Sequence, residues 1–277
     1  MRFTKMQGCG NDYVYIDCFS EKVEEPSELA KVIADRHYGV GGDGLILIEP
    51  SDRADASMRM FNRDGSEGDM CGNGIRYVAK YVYDHGLIPA SRRAARIDTR
   101  SGVRSIDLMV RDGKVAEATV DMGKPVLTGE LPEPLLVRGM SLSFIGVDVG
   151  NPHAVYFLED NAGLGSSRVA ELPLEDFGGA LETHEKFPNR VNSEFVEVLS
   201  SREINFRVWE RGAGETLACG TGATAAVFAG VRAGKLAHEV LVHLPGGDLR
   251  IRYDEDSGHC FMTGPAVEVF TGDFQRA

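Results

Sequence analysis

The chain has no run of about 18 uninterrupted apolar residues, the length a helix needs to cross a bilayer, which excludes an ordinary transmembrane helix. Residues 1–8 lack the apolar centre of a secretory signal, so a cytoplasmic protein is expected, with no membrane partner. Positive charge is in deficit: 30 Lys and Arg stand against 42 Asp and Glu, a formal net charge of -12. That balance repels phosphate backbones and speaks against a nucleic-acid partner. The seven histidines are scattered, with no HExxH and no CxxC, so no metal site is expected. No GxSxG nucleophile elbow occurs. Five cysteines, an odd number and widely spaced, read as thiols in a reducing compartment rather than as a disulfide framework.

What is present is an internal repeat. The segment Phe61-Asn62-Arg63, leading to Cys71-Gly72-Asn73-Gly74, aligns without a gap on Trp209-Glu210-Arg211, leading to Cys219-Gly220-Thr221-Gly222. Gly86 and Gly234 stand equally far beyond the two cysteines. Gly10-Asn11-Asp12-Tyr13 resembles Gly150-Asn151-Pro152-His153, and residues 38–43 have the spacing of 187–192. Such matches in one order argue for two copies of one domain within the 277 residues. The copies are expected over 1–117, with a last strand in 263–277 returning to the first copy, and over 118–262. The turn cluster Gly123-Lys124-Pro125 lies close to that boundary.

Each copy reads as mixed α/β. Alternating stretches such as Val14–Asp17, Ser57–Phe61, Ser105–Val110 and Asn205–Trp209 predict strands, and Asp112-Gly113 predicts a hairpin. Ile75, Val78, Ala79 and Val82 follow helical spacing, with Gly86 as the cap. The counterpart after Cys219 carries mostly small residues, so that helix is expected to be enclosed. Gly220 to Ala225 satisfies GxGxxA on paper, but the Glu210–Ala218 run before it reads as loop, where a dinucleotide site needs a strand.

Each cysteine thus opens a predicted helix, where unpaired N–H groups and a partial positive charge lower a thiol's pKa and can hold a carboxylate. Two such thiols suit inversion of a carbon stereocentre beside a carboxylate, which needs a base on one face and an acid on the other. A single-thiol nucleophile forming a covalent intermediate would need only one of them.

The motifs Gly8-x-Gly10-Asn11-Asp12, Phe61-Asn62-x-Asp64-Gly65-Ser66, Met70-Cys71-Gly72-Asn73-Gly74, Gly150-Asn151-Pro152-His153, Glu210-Arg211-Gly212 and Ala218-Cys219-Gly220-Thr221-Gly222 closely resemble the diaminopimelate epimerase family. The resemblance implies two pseudo-symmetric domains, each a curled sheet or barrel around a central helix, with the active site in the cleft between them. It implies an isomerase without a cofactor that interconverts LL- and meso-2,6-diaminopimelate in lysine and peptidoglycan precursor synthesis, working as a homodimer. Cys71 and Cys219 would be the acid/base pair, with His153 and Glu210 tuning or orienting them. Asn11, Asn62, Asn151, Asn192, Glu210 and Arg211 would hold the distal amino-acid end of the substrate. Gly72, Asn73, Gly220 and Thr221 would donate backbone N–H groups to the carboxylate at the reacting centre. Some members carry Gln where this chain has Gly44, so that contact is not expected here. Cys9 adds a third thiol near the predicted site and reads as a small space-filling residue. The rivals are a proline-racemase-like enzyme, which also pairs cysteines, and a small-molecule-binding relative without turnover.

Overall fold

The computed structural model describes residues 1–68 and 72–275, and the chain divides into two units: Met1–Asp121 with the chain from Thr263 onward, and Met122–Met262. In the first unit, β1 (Arg2–Gly8) and β2 (Asn11–Asp17) form a hairpin. Its two loop residues, Cys9 and Gly10, both have positive φ, 54° and 78°. That is the primed turn whose twist matches adjacent strands. Helix α1 (Pro26–Ile33) follows, then β3 (Gly44–Glu49) parallel to β2, and β4 (Ala56–Asn62) antiparallel to β3 with the short β5 (Glu67–Gly68) on it. Beyond helix α2 (Gly72–Asp84), β6 (Ala94–Thr99) runs parallel to β4. β7 (Gly102–Arg111) and β8 (Lys114–Gly123) continue antiparallel, joined at Asp112-Gly113 by a second primed turn.

The second unit repeats that plan. After β9 (Val126–Leu127), β10 (Glu133–Val137) and β11 (Met140–Asp148) come β12 (Pro152–Phe157), helix α3 (Leu174–Glu182) and β13 (Asn192–Ser200), which is parallel to β12. β14 (Glu203–Glu210) is antiparallel to β13 and carries the short β15 (Gly214–Thr216). Helix α4 (Gly220–Arg232) precedes β16 (Glu239–Leu244), which is parallel to β14, and β17 (Gly247–Asp254) antiparallel to it. β18 (His259–Pro265) runs across the division between the units, and β19 (Val267–Asp273) pairs antiparallel with β1. The parallel and antiparallel sequence of β2-β3-β4-β6-β7 therefore recurs in β12-β13-β14-β16-β17.

Each unit is a sheet curled round one helix. Every residue of α2 from Asn73 to Tyr83 is buried, although its spacing predicted only one apolar face. Its polar residues make buried contacts of their own: Lys80 Nζ meets Asp84 at 2.6 Å and donates to the Val115 carbonyl at 2.7 Å, and Arg76 Nη1 donates to Asn73 Oδ1 at 3.0 Å. Helix α4 is enclosed as its small residues predicted, with Gly222–Gly230 all buried. A Cβ on Gly230 would come 2.3 Å from Leu236 Cδ1, so only glycine lets that turn of the helix pack there. The second helices lie outside the sheets: Leu29, Ala30 and Ile33 of α1 join Val14, Leu45 and Phe61, and Phe177 and Leu181 of α3 join Tyr156 and Phe195.

Candidate active site

Cys219 is the N-cap of α4, with extended φ and ψ of -127° and 110°, and its sulfur accepts from the N–H of Gly222 at 3.4 Å. A sulfur thus fills a place more often taken by a Ser, Thr or Asp oxygen. The N–H groups of Gly220 and Thr221, next along the turn, have no hydrogen-bond partner among the described residues. They are free donors for an anion at the positive end of the helix. Thr221 Oγ1 lies 3.5 Å from the sulfur.

Three strands bring polar groups to this helix end. Glu210, the last residue of β14, hydrogen-bonds Thr216 Oγ1 and faces the Cys219 thiol. His153, at the start of β12, holds Glu194 Oε1 through Nδ1 at 2.7 Å and Asn151 Oδ1 through Nε2 at 2.9 Å. Asn151 in turn donates to Thr221 Oγ1 at 3.5 Å. Gly222 is required by this crowding: a Cβ there would lie 2.9 Å from Glu194 Oε1 and 3.2 Å from Cys219 Sγ.

The thiol's acidity departs from the sequence expectation. Burial pushes the Cys219 pKa well above the ordinary thiol value, and negative charge on Glu210 and Glu194 pushes the same way. The Thr221 hydroxyl and the Gly222 N–H pull it down without winning. The helix end is therefore present, but a dry site with two carboxyls beside the sulfur outweighs it. Burial also raises the carboxyls of Glu210 and Glu194. Cys219 in this state is a protonated thiol, the form that can act as an acid.

The remaining residues of this unit are held by the fold as well as available to a ligand. Asn192 donates to the Pro152 carbonyl and accepts from the N–H of Arg211, both at 2.9 Å, so it anchors the Arg211 turn. Glu182 on α3 holds the same turn, accepting from Trp209 Nε1 and from Gly212 N–H, each at 2.9 Å. The Arg211 side chain is exposed and reaches the Asn189 carbonyl at 3.2 Å. Glu194 and Glu182 were not singled out in the sequence. For Glu194 a signal exists, because the repeat aligns it with Ile46, and an acid replacing an apolar strand residue is informative.

In the first unit, Asn11, Gly44 and Asn62 lie at one end of β2, β3 and β4, the end matching Asn151, Asn192 and Glu210. Asn11 donates to Asp43 Oδ2 at 2.8 Å, and Asn62 donates to Ser66 Oγ at 2.9 Å. A Cβ on Gly44 would sit 2.1 Å from the Phe61 carbonyl oxygen, so this backbone leaves no room for a side chain there. Gly72 and Asn73 open α2, with Asn73 buried. Cys71, which precedes them, lies outside the described residues. Cys9 is buried in the β1–β2 turn. Among the described residues, no group of three or more His, Cys, Asp or Glu is placed to hold a metal ion.

The solved structures similar in fold include a probable proline racemase from Agrobacterium radiobacter, at a TM-score of 0.73 and 13% identity, over 99% of this chain and 92% of that one. They also include a PhzF-family phenazine biosynthesis protein from Bacillus anthracis, at 0.72 and 18%, over 100% and 99%. At those identities they speak for the fold alone. Sequence relatives are far closer. Diaminopimelate epimerase of Acetivibrio thermocellus is 49% identical over 99% of this chain and 98% of its own length. That of Methanococcus maripaludis is 46% identical over 99% of each. The diaminopimelate epimerase family profile matches residues 3–128 and 145–269. The chain belongs to the diaminopimelate epimerase family.

Proposed function

We propose that this chain interconverts LL- and meso-2,6-diaminopimelate by proton transfer at the α-carbon, with Cys219 and Cys71 as the two acid/base groups and no cofactor. The observation that carries the reading is Cys219 itself, a buried thiol capping α4 beside Glu210, with the free Gly220 and Thr221 N–H groups alongside. One cysteine, as thiolate, takes the α-proton while the other, as thiol, delivers one to the opposite face. The pair ends with its protonation exchanged, and the reverse reaction uses the same groups. Negative charge developing toward the substrate carboxylate is met by the helix-end donors, which are fixed before reaction begins. Entry of a cationic ammonium group offsets the carboxyls that hold the Cys219 thiol up, so substrate itself helps to release thiolate. Arg211 suits the distal carboxylate, and Asn11, Asn62, Asn151 and Asn192 the distal ammonium and carboxylate, with Glu210 nearby. Gly72 and Asn73 add backbone donors. A substrate with only one amino-acid end forfeits the distal set, which is how the site would prefer diaminopimelate.

On this reading the chain works in the cytoplasm, as a homodimer, in the synthesis of lysine and peptidoglycan precursors. Val267, Val269 and Phe270 of β19 are exposed apolar residues of the kind a second subunit covers. No helix among the described residues is long and apolar enough to cross a membrane.

The test is proton NMR with LL-diaminopimelate in D₂O, without added cofactor, for the parent and for Cys71→Ala and Cys219→Ala. Deuterium should enter the α-position as the meso form appears, and both mutants should lose epimerisation. Exchange with proline or hydroxyproline instead would move the assignment to a proline-racemase-like enzyme. No exchange with any of them, in folded and reduced protein, would sink the reading.

A further inference from the structure

Two residues beyond Asn192 on β13, Glu194 is a fully buried carboxyl that the chemistry above leaves unused. Its Oε1 is 2.7 Å from His153 Nδ1, and its Oε2 has no hydrogen-bond partner among the described residues. On the other side of the ring, His153 Nε2 lies 2.9 Å from Asn151 Oδ1, an atom that can only accept. Nε2 therefore carries a hydrogen. With Nε2 occupied, the contact between Nδ1 and Oε1 needs one further proton, held on the ring or on the carboxyl. In both cases the pair is neutral as a whole, as a site this dry favours, so the shared proton offsets the negative charge by which Glu194 alone would raise the Cys219 thiol. The rest of the chain of contacts follows in one direction. Asn151 spends its oxygen on Nε2–H, so its amide nitrogen donates to Thr221 Oγ1 at 3.5 Å. The Thr221 hydroxyl hydrogen is then left for Cys219 Sγ, also at 3.5 Å.

We propose that Glu194 is a positioning residue: by sharing one proton with His153 it fixes the direction of the hydrogen bonds through Asn151 and Thr221, so that Thr221 donates to the Cys219 sulfur and favours thiolate. Were that proton lost, the ring would keep only Nδ1–H, toward the carboxylate. Nε2 would become an acceptor, the Asn151 amide would turn over, and Thr221 would accept from the S–H. No proton travels along the chain in either arrangement. Cys219 still exchanges its proton with substrate, and the buried pair decides which form of the sulfur is welcomed.

This rests on Cys219 acting as an acid/base thiol, and its test reads Cys219 and His153 without turnover, so the two ideas can fail separately. In full-length protein labelled with ¹⁵N-histidine, with the resonance assigned by comparison with His153→Gln, Nε2 of His153 should show a bonded hydrogen at neutral pH. In parallel, alkylation of Cys219 by iodoacetamide at one fixed pH is followed peptide by peptide by mass spectrometry. Glu194→Gln, whose amide still donates to Nδ1, should alkylate within about threefold of the parent, whereas Glu194→Leu, with no donor, should be slower by about tenfold. An Nε2 without hydrogen would overturn the proposal. So would faster alkylation in both variants, which would make the carboxyl a simple negative charge, or an unchanged rate in Glu194→Leu. If the leucine variant does not fold, the ring hydrogen and the glutamine variant decide by themselves.

Discussion

At the scale of single residues, the thiol of Cys219 is governed by what surrounds it more than by where the helix begins. Among the described residues, the groups acting on it are Glu210 from β14, Glu194 from β13, and Thr221 and the Gly222 N–H from α4 itself. The charge of Glu210 can be removed with little change of shape. Glutamine there can still hold Thr216, so Glu210→Gln should lower the Cys219 pKa, because a negative charge beside thiolate has gone. The alkylation rate of Cys219 plotted against pH should move to lower pH by about one unit, with a melting curve close to that of the parent. A profile that stays in place would mean that Glu210 already carries a proton. The place of Cys219 at a helix start was legible because the repeat puts the two cysteines in matching order, whereas His153 and Glu210 were singled out through motifs that resemble the family. The value of the thiol's acidity was not, since burial and the second carboxyl are properties of packing. Asn192 was named through the family resemblance, but its hold on the Arg211 turn depends on two strands meeting at one end. Glu194 was within reach of the sequence: set against Ile46, it is an acid where the copy has an aliphatic residue.

At the scale of elements, the two inner helices were the clearest features, and their ends agree in detail. Gly86 N–H bonds the Tyr83 carbonyl and Leu87 N–H the Val82 carbonyl, while Gly234 and Lys235 make the same pair of bonds to Val231 and Gly230. Both glycines have positive φ, 72° and 70°, and nothing stands within 4 Å of where a Cβ would be. Alanine at either place therefore meets no clash and suffers only the left-handed backbone, which costs about 1 kcal/mol. Gly86→Ala and Gly234→Ala should show nearly equal losses of that size in urea denaturation, and a loss several times larger at one would break the equivalence of the two helix ends. The outer helices were harder to read. Helix α1 is eight residues long, with Pro26 in its first turn, and offers barely two turns of pattern. Helix α3 carries Gly178 and Gly179 in its middle, a composition that reads as a break. Gly178 is there because a Cβ would come 2.3 Å from the Trp209 ring, a contact with β14 that no local pattern announces.

At the scale of the whole molecule, the repeat seen in the sequence recurs as a strand order, and the last strand is the exception to serial layout. β1 lies between β2 and β19, paired with β19 from Arg2 to Gln7. Phe3 packs edge-on against Phe270 at 5.8 Å and covers Gly272, where a Cβ would come 2.9 Å from its ring. His85 at the end of α2 bonds Glu268 at 3.0 Å, and Phe274 N–H bonds the Met1 carbonyl at 2.8 Å. The first unit is thus closed by residues synthesised after the second is complete. A chain ending at Pro265 would leave β1 as an edge strand paired with β2 alone and strip the cover from Phe3, while β13 and β14 of the second unit would stay paired as before. Hydrogen exchange read by mass spectrometry should then show β1 amides losing protection by on the order of 100-fold, while those of β13 and β14 change little. Equal loss in both units would mean that they unfold as one body, and undiminished protection of β1 would mean that its pairing with β2 alone suffices.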